Sequence, residues 1–205
     1  MIDLYTWPTP NGRKISIMLE ELALPYRAIA VDITGGGELA PDYLRLNPNG
    51  KIPTIVDHDG PGGTIAIFES GTILIYLAEK AGRLLSADPA TRITTIQWLM
   101  FQVSALGPML GQAHHFRRFA PERVPYAIAR YETEAARLYG VLDRRLGEAE
   151  FLAGAYSIAD IASFPWIARH AWQGVALAEF KNVARWFAAV AARPAVQRGM
   201  AVPRI

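Results

Sequence analysis

The sequence predicts two successive domains, an α/β domain followed by an all-helical one, and three observations predict it. Short runs with strand character are confined to about the first 80 of 205 residues, where they alternate with helical patterns. After Pro89 every periodic segment has helical spacing. Between Gly82 and Pro89 lies a stretch that neither pattern continues, so the domains are expected at 1–82 and 89–205. With 51% hydrophobic and 20% charged residues, the chain can bury one large core or two modest ones.

The elements follow in order. Ile2 to Thr6 alternates as a short strand, and Trp7-Pro8-Thr9-Pro10-Asn11-Gly12 turns into a helix from Arg13 to Leu22. Ile15, Met18, Leu19 and Leu22 form the apolar stripe of that helix. Pro25 resets the chain, and Tyr26 to Val31 reads as a second strand. The glycine run Gly35-Gly36-Gly37 precedes a brief helical segment at Pro41 to Leu46. Strands at Thr54–Val56 and Ile65–Ile67 flank a turn-rich stretch, and a helix over 69–81 ends at Gly82 as a C-terminal cap. Beyond Pro89, long helices are predicted over 90–114 and 124–146, with shorter ones near 158–172 and 180–192. Tyr156-Ser157-Ile158-Ala159-Asp160 carries a capping box, in which Ser157 and Asp160 satisfy each other's backbone amides. It is read as structural.

Composition narrows the function. Net charge is +2, with a pI near 9.0 that reflects this small surplus rather than a basic stripe. Arg117-Arg118 and Arg144-Arg145 are the densest basic clusters, and they lack the interleaved aromatics of a nucleic-acid surface. No window approaches the roughly 18 apolar residues of a membrane span, and the N-terminus lacks a signal-peptide pattern. There is no cysteine. Disulfide staples, thiolate metal sites and a protein-borne thiol nucleophile are thereby excluded, and a cytoplasmic location is expected. Thiol chemistry must come from a bound ligand.

Two motifs carry chemistry. In Asn49-Gly50-Lys51-Ile52-Pro53-Thr54-Ile55-Val56-Asp57 a proline heads a β-branched strand. It donates no ladder hydrogen bond, so Ile52-Pro53 is a natural backbone corner, and the residue before it offers N–H and C=O groups to a peptide-like ligand. In Phe68-Glu69-Ser70-Gly71-Thr72-Ile73 a carboxylate and a hydroxyl open a helix, where backbone donors also point outward. Together they form a clamp for a small extended peptide with charged ends.

The combination resembles the glutathione transferase superfamily, in which a thioredoxin-like α/β domain is joined to an all-α C-terminal helical domain. The resemblance covers essentially the whole chain, through the Pro53 strand, Glu69-Ser70 and the box from Ser157 to Asp160. Thr9-Pro10-Asn11-Gly12, the segment Gly107-Pro108-Met109-Leu110-Gly111-Gln112 and His114-His115-Phe116 are similar to a bacterial Nu-class subgroup. That subgroup reduces disulfide bonds with glutathione.

The resemblance implies roles residue by residue. Ile52 would pair through its backbone with the cysteinyl portion of glutathione, with Pro53 cis and Lys51 beside it. Glu69 would face the γ-glutamyl ammonium and Ser70 its carboxylate. Thr9 and Asn11, between the first strand and first helix, would stabilise a glutathione thiolate as hydrogen-bond donors. Glu38 stands where the subgroup tends to carry a glutathione-contacting glutamine; an ionised glutamate accepts but cannot donate there. Arg130, mid-helix, would reach a glutathione carboxylate across a homodimer interface. Trp7, Met109, His114, His115, Phe116 and Trp166 would wall an acceptor pocket. Adjacent His114 and His115 cannot share a helix face as a metal pair would, so no metal is expected. Tyr5 is read as a core residue, facing away from the site by strand alternation.

The expected protein is therefore a glutathione-dependent enzyme of the transferase fold, homodimeric, reducing a small disulfide with two bound glutathiones or through glutathione disulfide. Conjugation of glutathione to a small electrophile is the alternative in the same fold. A non-catalytic interaction protein is the alternative of another class, with no need of the clamp.

Overall fold

The computed structural model describes residues 1–33 and 41–204. Two compact units emerge, the first comprising Met1–Arg83 and the segment from Arg193, the second Leu84–Ala192.

The first unit is built on a four-stranded sheet. Its strands are β1 (Ile2–Thr6), β2 (Tyr26–Ala30), β3 (Thr54–Gly60) and β4 (Gly63–Phe68), in the order β2-β1-β3-β4. β1 runs parallel to β2, with Leu4 opposite Ala28, and antiparallel to β3, with Leu4 opposite Ile55. β3 pairs antiparallel with β4, interrupted by an irregularity between Asp57 and Gly60. The parallel pair needs a crossover, which α1 (Pro10–Leu22) provides. α2 (Pro41–Leu46) leads into β3, and α3 (Ser70–Ala81) follows β4. Gly82 ends α3 in the left-handed conformation its sequence predicts, at φ 63°.

α1 is buried beyond its predicted stripe: Lys14, Ser16 and Ile17 join Ile15, Met18, Leu19 and Leu22. The reason is α9 (Pro194–Met200), a helix the periodicity does not predict. It packs on α1, where the Ser16 hydroxyl donates to the Gly199 carbonyl at 2.7 Å. Gly199 is a close-approach position, since a Cβ there would lie 2.5 Å from the Ile17 Cα. Arg193 pairs with Glu21, and Arg198 with Glu20, along the same seam. The segment expected at 89–205 thus contributes its last helix to the first unit.

The second unit is helical. The helix predicted over 90–114 is α4 (Pro89–Phe101), a π-helical turn at Gln102–Leu106, and α5 (Gly107–His114). Pro108 explains the interruption: it has no N–H to give and its ring clashes with the preceding turn, so the chain widens before it. A second π-helical turn, His115–Phe119, follows. α6 (Pro125–Glu148), α7 (Ile158–Ile167) and α8 (Lys181–Ala191) complete the unit. The capping box forms as read: Asp160 accepts from the Ser157 amide at 3.0 Å, and also from the Leu152 amide at 3.0 Å and the Trp186 indole at 2.8 Å. Burial pushes this carboxyl up to about 6 despite those donors. No helix among the described residues is long and apolar enough to cross a membrane.

Candidate functional site

The site is assembled from the corner before β3. The Lys51 carbonyl accepts from the Tyr43 hydroxyl at 2.5 Å and from Asn47 Nδ2 at 2.6 Å. Asn47 Nδ2 also reaches Thr54 Oγ1 at 3.2 Å, and its Oδ1 accepts from the Asn49 amide at 2.9 Å. Tyr43 has spent its one hydrogen on Lys51, so its oxygen accepts from the Thr54 hydroxyl 3.1 Å away. The peptide on either side of Ile52 is thereby pinned from below. Ile52-Pro53 is cis, both side chains are buried, and Lys51 is exposed. Among the described residues neither the Ile52 N–H nor its C=O has a hydrogen-bond partner. A strand edge is left open for an extended peptide.

Glu69 and Ser70 stand beside that edge. Glu69 caps α3 at φ 67° and ψ 113°, a left-handed conformation that costs a non-glycine residue on the order of 1 kcal/mol or more. Its side chain makes no capping bond and is exposed, while Ser70 is buried as the first residue of α3. Strain of this kind persists where the surroundings fix a side chain for a purpose. The Glu69 side chain stands in solvent rather than bonding the helix amides.

The third wall is the start of α1. Thr9 is its N-cap, accepting from the Gly12 amide at 3.3 Å, and Pro10 fills the first helical position. The Thr9 hydroxyl hydrogen is not consumed by this cap and is free to donate. Gly12 permits the approach of this turn to β1, since a Cβ there would lie 2.4 Å from both Thr6 Oγ1 and the Trp7 carbonyl. Asn11, Asn47, Asn49, Lys51, Ile52, Pro53, Glu69 and Ser70 line one polar cleft of about 170 Å³. Five of the expected binding residues, together with Asn11, are therefore in one place.

Other expected residues fall elsewhere. Glu38 lies outside the described residues. Tyr5 is half-buried, with its ring 5.8 Å from that of Tyr43. Trp7 belongs to the first unit, half-buried in the turn before α1. In the second unit Arg130 is exposed on α6, in a groove of about 600 Å³ shared with Met109, Tyr126 and Tyr131. Phe116 stacks on Tyr131 at 5.5 Å, and His115 is exposed.

His114 and Trp166, expected as pocket walls, are buried, their rings stacked 5.7 Å apart. Gln173 Nε2 donates to the Trp166 carbonyl at 2.8 Å and to His114 Nε2 at 3.1 Å, while its oxygen takes the Tyr139 hydroxyl at 2.7 Å. The imidazole is held as an acceptor at Nε2. Burial, reinforced by Arg169 and Arg118, pushes His114 down to about 4, so it is neutral at pH 7 and is no acid–base candidate. Among the described residues no cluster of three or more His, Asp or Glu is placed to hold a metal ion.

Sequence reasoning missed Lys14. This lysine of α1 is fully buried, and its Nζ donates to Ser70 Oγ at 3.2 Å. Burial drives its ammonium down to about 7, while the nearby Glu69 carboxylate pulls the other way. It also missed Tyr43 and Asn47, whose polar side chains hold the Lys51 carbonyl.

A four-stranded mixed sheet with an open strand edge, beside the N-termini of two helices, defines the α/β unit of a chain whose other unit is helical. The sequence profile described as "Glutathione S-transferase, N-terminal domain" matches residues 9–80, and that described as "Glutathione S-transferase, C-terminal domain" matches 108–194. The chain belongs to the glutathione S-transferase family and has its fold. It is 51% identical over 204 residues to "Disulfide-bond oxidoreductase YfcG" of Escherichia coli (strain K12), spanning 98% of this chain and 94% of that protein. A glutathione transferase from Burkholderia graminis, solved with two glutathione molecules bound per subunit, is 46% identical with a TM-score of 0.93, covering 99% of this chain and 88% of that one. Another from Pseudomonas putida, solved with one glutathione disulfide per subunit, is 47% identical with a TM-score of 0.92, covering 98% and 91%.

Proposed function

We propose that the protein is a glutathione-dependent disulfide-bond reductase. The observation that carries this reading is the Ile52 strand edge, open beside Asn11, Glu69 and Ser70, in a chain without cysteine. Such a site supplies binding and electrostatics but no thiol of its own. The relative's name and the neighbours that hold two glutathiones or one glutathione disulfide support the same reading.

In this mechanism Ile52 pairs with the cysteinyl residue of one glutathione, Glu69 meets its γ-glutamyl ammonium and Ser70 its carboxylate. Asn11 and the Thr9 hydroxyl donate to the glutathione sulfur at the N-terminus of α1, where dipole and donors favour the thiolate. That thiolate attacks a small disulfide, forming a mixed disulfide and releasing one thiol. A second glutathione thiolate attacks the mixed disulfide and releases the other. The two electrons come from two glutathiones, which leave joined as the disulfide, and each released thiolate takes up a proton. Arg130 reaches a glutathione carboxylate from the partner copy of a cytoplasmic homodimer, and Met109, His114, His115, Phe116 and Trp166 of the helical unit contribute to the acceptor side.

Asn11→Ala tests the reading. Losing one donor to an anion removes about 1.5–3 kcal/mol, so glutathione-dependent reduction of 2-hydroxyethyl disulfide is expected to fall by about 10- to 100-fold in kcat/KM. Undiminished reduction by this variant would overturn the mechanism.

A further inference from the structure

We infer that Lys14 is a positioning residue for the clamp: its buried amine fixes the Ser70 hydroxyl as a donor to the α-carboxylate of the bound γ-glutamyl group. The inference rests on the glutathione reading above and assigns it a residue that no motif marks. Lys14 lies on the fully covered face of α1, with Ile15, Ile17 and Met18, 2% exposed. Burying an ammonium is costly, so the partners of a lysine in such surroundings are fixed rather than exchanged with water. Here Nζ meets a serine hydroxyl at 3.2 Å.

The chemistry of the pair sets its polarity. Nζ is the donor in this bond, so Ser70 Oγ accepts, and the serine's own hydrogen is turned away from Lys14. Ser70 lines the polar cleft, between Glu69 and the Ile52 corner. Its hydrogen is thus presented where a carboxylate would arrive, at the first residue of α3, with the positive charge one hydroxyl behind. Glu69 is the acidic side chain whose field favours the charged lysine, and it is exposed toward the cleft. A ligand carrying an ammonium for Glu69 and a carboxylate for Ser70 leaves both protein charges answered. An α-amino acid end has both groups on one carbon.

The test compares two tripeptides on the intact protein by isothermal titration calorimetry. One is glutathione, and the other is 4-aminobutanoyl-cysteinyl-glycine, which lacks the γ-glutamyl α-carboxylate. Lys14→Met is expected to weaken glutathione by about 10-fold or more, the scale of one charge-assisted hydrogen bond, and to leave the truncated tripeptide's affinity unchanged. In turnover the rise in KM for glutathione is expected to exceed any fall in kcat. Lys14→Gln, which keeps a donor toward Ser70 without the charge, is expected to lie between the native sequence and Lys14→Met. Equal weakening of both tripeptides would make Lys14 a packing residue and overturn the inference, as would unchanged glutathione binding. Failure of the unsubstituted protein to bind glutathione would overturn the functional reading, and the inference with it.

Discussion

Lys14→Met is also expected to stabilise the protein in the absence of ligand, with a magnitude that depends on pH. Burial takes the amine from 10.5 to about 7, a fall of about 3.5 pH units. Between those values the unfolded chain holds a proton that the folded chain has released, so the stability of the native sequence rises with pH across that window. Below about pH 7 both states are protonated and the burial cost is complete. At about 1.36 kcal/mol per pH unit the full cost is roughly 5 kcal/mol, declining to about 4 at pH 7 and about 2 at pH 9. Methionine is uncharged and of similar length, but it abandons Ser70 Oγ, which returns about 1 kcal/mol or somewhat more. The variant is therefore expected to be more stable by about 2–3 kcal/mol at pH 7, an advantage that shrinks by about 2 kcal/mol at pH 9. Urea unfolding followed by tryptophan fluorescence at both pH values, with matched m values, measures this. A variant less stable than the native sequence at pH 7, or a difference that stays constant with pH, would refute the reasoning.

Two further substitutions probe the scaffold. Asp160→Ala strands the buried Leu152 and Ser157 amides and the Trp186 indole, and is expected to cost about 3–5 kcal/mol in a denaturant titration. A loss below about 1 kcal/mol would contradict the accounting. Gly199→Ala drives a Cβ to 2.5 Å from the Ile17 Cα and 2.6 Å from its nitrogen. Backbone cannot swing aside as a side chain can, so a loss of about 2 kcal/mol is expected from overpacking, read as a lowered melting temperature.

Strand–helix alternation before Gly82, helical spacing after Pro89, and the box at Ser157 are all local patterns, and each forms in the structure. The meeting of Pro53 with Glu69-Ser70 in one cleft is legible for a related reason: a proline before a strand and an acid and a hydroxyl before a helix mark backbone corners through residue type. What escaped depends on residues far apart in the chain. Lys14 reads as the polar side of an amphipathic helix, because nothing in α1 reveals that α9 and α3 cover its other faces. Asn47 and Tyr43 read as a loop residue and part of a short helix, and only the folded corner turns them onto the Lys51 carbonyl. The positive φ of Glu69 carries no signal, since left-handed backbone is legible only where glycine marks it. Pro108 was visible, but helical spacing runs through a π turn almost undisturbed, so one long helix was predicted where two stand.

The seam between α1 and α9 has a consequence for the order of assembly. The Ser16 hydroxyl is answered by a carbonyl 183 positions later, so the first unit is discontinuous in sequence, with the helical unit's segment lying between its two parts. A ribosome completes Leu84–Ala192 before α9 exists, and the helix bearing Thr9, Asn11 and Lys14 must wait uncapped on one side until then. The helical unit can close on its own residues as it emerges, whereas the sheet unit is incomplete until α9 reaches α1. Closing the seam therefore requires residues 183 positions apart to meet across a whole helical unit of intervening chain.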